Sequence, residues 1–194
     1  MHTGTHTMRA LRKPMRMVEN VEQLEFSIEE VRHGWFVCRF GEAVIWASNC
    51  CGHDGPRQLV KLVTEVLEGE RSGGHAVFEA EPGTYVLSIR SGDQATLSLR
   101  YTKRNFLDCY PTSAGTVRVH PELPRQLKPE EQLLLVEDLD LYHFVCTVGD
   151  AFSAYLPRKM RDRYTGNWMP FPMTELLELR LLLGEDTRNV LTEI

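Results

Sequence analysis

The sequence predicts an α+β protein: a mostly antiparallel six-stranded sheet (βββ-α-βββ) with one packed helix, then a helical C-terminal part. Three observations carry this expectation. Residues 26–101 alternate apolar and polar positions in short runs separated by turn residues. One run within them, 56–69, repeats its apolar residues at helical spacing. After residue 136 the apolar spacing is again that of helices. Short links between successive strands make the pairing antiparallel, because parallel strands need a long crossover.

The first three strands are FSIEEV (26–31), WFVCRF (35–40) and AVIWAS (43–48), joined at His33-Gly34 and Gly41-Glu42. Both faces of the second and third are largely apolar, so the sheet there is expected to be covered on both sides. In PRQLVKLVTEVLEG (56–69), Leu59, Leu62, Val63, Val66 and Leu67 form one stripe. Pro56 suits the first helical turn, Asp54 the N-cap and Gly69 the C-terminal cap. HAVFEAE (75–81), TYVLSIR (84–90) and QATLSLRY (94–101) complete the strands. Pro82-Gly83 is expected at the centre of a type II turn.

Residues 102–136 are punctuated by Pro111, Pro121, Pro124 and Pro129 and read as a connector, with a short strand at TVRVH (116–120). Across 139–156, Leu141, Phe144, Val145, Val148, Phe152, Tyr155 and Leu156 form a helical stripe that Pro157 ends or kinks. PMTELLELRLLLG (172–184) is a second helix. The chain thus divides into a basic, disordered tail (1–22), the βββ-α-βββ core (23–101), a Pro-rich connector (102–136) and C-terminal helices packed on the core (137–194), one domain in all.

The chain has 194 residues, a formal charge of -5 and a pI near 5.8. That charge opposes a broad nucleic-acid footprint, which needs a basic face. The five cysteines are odd in number and irregular in spacing, and Cys38 and Cys146 sit in apolar runs. This usage points to a reducing compartment, the cytoplasm. No apolar run approaches the roughly 18 residues of a membrane span. The basic N-terminus is not followed by the apolar stretch of a secretory signal.

The stretch SNCCGHDGP (48–56) holds the densest reactive chemistry. A helix N-terminus activates a thiol, so Cys50 or Cys51 could be a nucleophile or sensor with His53 as base and Asp54 orienting it. A Cys and a His so close along a turn rarely face each other. The plainer reading is a strand-to-helix connection with a capping Asp54. The ligand spacing does not match a zinc site, and no metal or cofactor is expected. Glu79 and Glu81 share a strand face and are expected in solvent, paired across the sheet with Arg90 or Arg100. NWMPFP (167–172) offers Trp168, Met169 and Phe171 as a partner surface, against the alternative of a loop tucked over the core. RKMRDRY (158–164) reads as an exposed helix end. Hydrolase, phosphate-loop and dinucleotide motifs are absent from the sequence.

GW at 34–35, the strand ending AS at 47–48, the helix with Leu59 and Gly69, EPG at 81–83 and TYVLSIR together resemble a pattern in a group of small uncharacterised bacterial proteins. Trp168, Phe171 and Pro172 before the last helix fit the same pattern. The resemblance covers residues 26–101 and, more loosely, 168–180. It implies an immunity or accessory role near toxin systems. It implies no activity, and SNCCGHDGP departs from the pattern. The function expected is therefore a non-catalytic factor that binds a protein partner through an acidic surface with aromatic residues. A small enzyme or thiol sensor at Cys50, Cys51, His53 and Asp54 is the alternative. A homo-oligomer built by edge-strand pairing stays open.

Overall fold

The computed structural model describes residues 23–50, 52–103, 107–108, 118–119, 132–185 and 187. The tail 1–22, Cys51 and most of the connector lie outside them. The fold is α+β with antiparallel sheets.

Strands β1 (Phe26–Arg32), β2 (Trp35–Phe40) and β3 (Ala43–Ser48) form an antiparallel meander. Its first hairpin turns through His33 and Gly34, both at positive φ (49° and 82°). That backbone twist matches the right-handed twist of the strands it joins. Phe36, Cys38 and Phe40 point to the core, while Trp35, Val37 and Arg39 alternate to the other face.

Helix α1 (Gly55–Glu68) follows β3. The Asp54 side chain accepts from the Arg57 amide, and Gly69 closes the helix in the left-handed region at φ 78°. The apolar stripe, including Leu59, Leu62, Val63 and Val66, is buried. Strands β4 (Gly73–Glu79), β5 (Thr84–Arg90) and β6 (Ala95–Thr102) come next. The peptide bond between Glu81 and Pro82 is cis, and Gly83 has a positive φ of 108°.

The strands do not form one six-stranded sheet. β1-β2-β3 is a three-stranded sheet, and β4-β5-β6-β9 a separate four-stranded sheet. β3 and β4 are neighbours in space but not hydrogen-bonded partners, and the reason lies in α1. The Val77 amide donates to Gln58 Oε1 at 3.1 Å, and the Val77 carbonyl lies 2.8 Å from His53 Nε2. Side chains from the first turn of α1 and the loop before it thereby occupy the edge that β3 would need. Covered edges of this kind do not recruit further strands.

Strand β9 (Leu133–Leu139) pairs with β6 and was not expected. It takes residues 133–136 from the predicted connector and shortens the helix predicted from 139. β7 (Leu107–Asp108) pairs with β8 (Arg118–Val119), the latter inside the strand expected at 116–120.

Helices α2 (Leu141–Ser153), α3 (Arg158–Asn167) and α4 (Met173–Leu182) follow. Asp140 caps α2 by accepting from the His143 amide at 3.0 Å. RKMRDRY belongs to α3, a helix of its own. α2 and α3 pack onto the face carrying Phe36 and Phe40, while α4 packs against α1 and α2: Phe36 meets Phe152, Tyr164 and Trp168, and Phe40 meets both Phe78 and Phe144. Both sheets and the helices therefore share one core, and the C-terminal helices do not cover a second face of the sheet. The Asn167 carbonyl accepts from the Gly34 amide at 2.7 Å and its side chain from the His33 amide, tying α3 to the first hairpin. No helix among the described residues is long and apolar enough to cross a membrane.

Candidate functional site

The turn after β3 and the NWMPFP segment interlock. Trp168 Nε1 donates to Asp54 Oδ1 at 3.3 Å, and Asn49 Nδ2 donates to the Trp168 carbonyl at 3.0 Å. Arg57 reaches the Pro170 carbonyl at 3.0 Å and lies 3.4 Å from Asp54 Oδ2. Asp54 is thus a helix cap shared with an indole and a guanidinium, and it orients neither His53 nor a nucleophile. Burial raises its carboxyl above the usual range, against the pull of the Arg57 amide and the indole.

His53 is buried. A carbonyl only accepts, so Nε2 carries the proton donated to Val77. Burial lowers the histidine's pKa and keeps it neutral near pH 7, although the Val77 carbonyl and Glu79 favour the charged form. Its place is the edge of β4.

Cys50 is exposed, and its Sγ lies 3.2 Å from Glu79 Oε1. Its thiol also hydrogen-bonds Glu81, and Ser48 Oγ donates to Glu81 Oε1 at 2.7 Å. A thiol between two carboxylates is held as a donor, the reverse of the electropositive setting that makes a nucleophile. Glu79 is buried rather than solvated, and Glu81 pairs with the turn rather than with Arg90 or Arg100. Among the described residues, no group of three or more His, Cys, Asp and Glu could hold a metal ion.

Trp168 and Phe171 are 6% and 9% exposed, packed on Phe36, Phe152 and Tyr164. Met169 packs half-buried against the same core. The Trp168 and Phe171 rings serve the core and leave little to present to a partner, because aromatic rings bury their large apolar area first, while Met169 keeps part of its surface exposed.

The exposed aromatic surface lies elsewhere. The outer face of β2 and β3 is not fully covered: Trp46 is 49% exposed and Val44 36%. With Trp35 they form one wall of a groove of about 470 Å³, faced by Pro82, Tyr85, Tyr101 and Leu134. Leu134 is 42% exposed. Tyr85 hydrogen-bonds the backbone of Trp46 across the gap between the sheets, and the Tyr101 hydroxyl donates to the Pro82 carbonyl. Glu81 lines the groove and is its one charged side chain among the described residues. Sequence reading missed these residues. The signal in the sequence is the doubly apolar character of β2 and β3, which predicts cover on both faces, whereas the outer face is left partly open at Trp46 and Val44.

A second cleft, about 780 Å³, lies on the outer face of β4, β5 and β6 and includes His75, Ser88, Arg90 and Arg100. His75 Nδ1 is 2.7 Å from Ser88 Oγ. The pair sits directly across the ladder from each other. The β5 amides are spent on β4 and β6, so that strand has none left to stabilise an oxyanion above Ser88.

No protein-family model, curated protein or solved structure matches the chain.

Proposed function

We propose that the protein is a non-catalytic, protein-binding factor of the immunity or accessory kind, acting in the bacterial cytoplasm. The observation that carries this reading is the groove around half-exposed Trp46, with Trp35, Tyr85, Tyr101 and Leu134 beside it. Trp and Tyr dominate binding hot spots, because they bury large rigid surfaces at low entropic cost. Trp46 stays half in water in the free chain. The SNCCGHDGP turn supports binding rather than catalysis, since Asp54, His53 and Cys50 all serve neighbouring structure. The resemblance to the GW and EPG-Y pattern points the same way, and the free, buried Cys38 suits a reducing compartment.

The test is native mass spectrometry of the tagged chain drawn gently from its own cells, as wild type and as Trp46→Ala. A second polypeptide present with wild type and lost with Trp46→Ala supports the reading. A partner retained at equal occupancy by the variant removes the groove as the binding surface.

A further inference from the structure

The groove has a composition that selects a particular partner side chain. Four aromatic side chains wall it, those of Trp35, Trp46, Tyr85 and Tyr101, and among the described lining residues Glu81 is the one that is charged. The rings of Tyr85 and Tyr101 lie 5.1 Å apart at 51°, so they present differently tilted faces. Both phenol hydroxyls are held by backbone groups, of Trp46 and Pro82, which fixes the rings. Aromatic faces carry negative quadrupolar potential and attract a cation within about 6 Å of the ring centre.

Glu81 adds a full charge. An exposed carboxylate is normally mobile, but here Ser48 donates to it at 2.7 Å and the Cys50 thiol also bonds it. Those two hydrogen bonds, the thiol's first, hold its carboxyl below the usual carboxylate range. Glu81 makes no ion pair among the described residues. The turn thus holds a carboxylate, without an ion pair among the described residues, at an aromatic box.

Resting on the reading of this groove as the partner surface, we infer that the partner inserts an arginine side chain, its guanidinium stacked on the Trp35 and Trp46 side and its charge met by Glu81. Arginine suits the box better than lysine. Its planar, weakly hydrated head stacks on aromatic faces and still donates to a carboxylate, whereas an ammonium is a compact, strongly hydrated charge.

The test needs no identified partner. Methylguanidinium is titrated into the full ¹⁵N-labelled chain at constant ionic strength, with methylurea as the neutral isostere and methylammonium as the lysine mimic. The indole signals of Trp35, Trp46 and Trp168 are followed. The expected result is saturable, millimolar binding that moves Trp35 and Trp46 and leaves buried Trp168 in place. Affinity should fall about tenfold in Trp46→Ala and in the isosteric Glu81→Gln, the size of one cation–aromatic or charge contact. Unchanged melting temperatures for both variants exclude unfolding as the cause; if Trp46→Ala melts early, Trp46→Phe replaces it. Equal binding of methylurea, or undiminished affinity in Glu81→Gln, overturns the inference. Tighter binding of methylammonium overturns arginine in favour of lysine. A partner lost with Trp46→Ala but kept at full affinity with Glu81→Gln leaves the binding reading intact and removes the cation. Saturable probe binding with no partner mass does the reverse.

Discussion

At the scale of single residues, His53 shows how chemistry that looks reactive is put to structural use. Its ring is buried and donates to the Val77 carbonyl. Burial lowers its pKa below the ordinary 6.5, and burial together with nearby Arg90 does the same to His75. Between those lowered values and 6.5 the unfolded chain binds more protons than the folded one, so stability falls as pH drops through that window. The urea midpoint should therefore decrease between pH 7 and pH 5.5, and His53→Gln should show a shallower decrease. A slope unchanged by the variant would show that the imidazole titrates alike in both states. Cys50 is the counterpart on the turn. Beside Glu79 and Glu81, it should react with iodoacetamide no faster than free cysteine at pH 6 or pH 8.5, read by peptide mass.

At the scale of elements, the junction between β3, α1 and β4 decides the sheet topology. Gly55 opens α1 so close to β4 that a Cβ there would lie 2.5 Å from the Val77 carbonyl oxygen and 2.8 Å from the Phe78 ring. Gly55→Ala should cost about 1–3 kcal/mol by overpacking, measured by urea unfolding. Gln58 and His53 grip the amide and the carbonyl of the same residue. Their alanine variants should therefore be non-additive in a double-mutant cycle, by about 0.5 kcal/mol or more. The Asp54–Trp168 bond couples α1 to the segment between α3 and α4. Trp168→Ala should destabilise by about 3–5 kcal/mol, because it empties a buried aromatic site and strips Asp54 of a donor. A loss under 1 kcal/mol would contradict its place in the core.

At the scale of the whole molecule, one core serves two sheets and the described helices, and its packing leaves the outer face of β2–β3 open beside the β4–β5 turn. Trp46→Ala should accordingly change stability by less than about 1 kcal/mol while abolishing partner binding. The contrast with Trp168→Ala separates a surface tryptophan from a core one.

Much of the fold was legible locally. β2, β3 and β5 coincide with their alternating runs, and α1 begins and ends at the cap residues read from sequence, Asp54 and Gly69. Period, turn chemistry and capping depend on neighbours along the chain, so one sequence suffices to specify them. β9 escaped because LLLVEDL adjoins a helical stripe and alternates only weakly; its pairing with β6 is a long-range event. The break between the sheets depends on side chains of α1 reaching β4, which no periodicity encodes. The same limit governed the site. The sequence determined that Trp46 and Trp168 are aromatic residues at element ends and faces, and that Glu81 follows a buried strand. Only tertiary packing decided that Trp168 fills the core, that Trp46 stays in water, and that Ser48 and Cys50 hold Glu81 beside it. Burial is set by what arrives from distant segments to cover a face, and a single face's composition does not record what covers it.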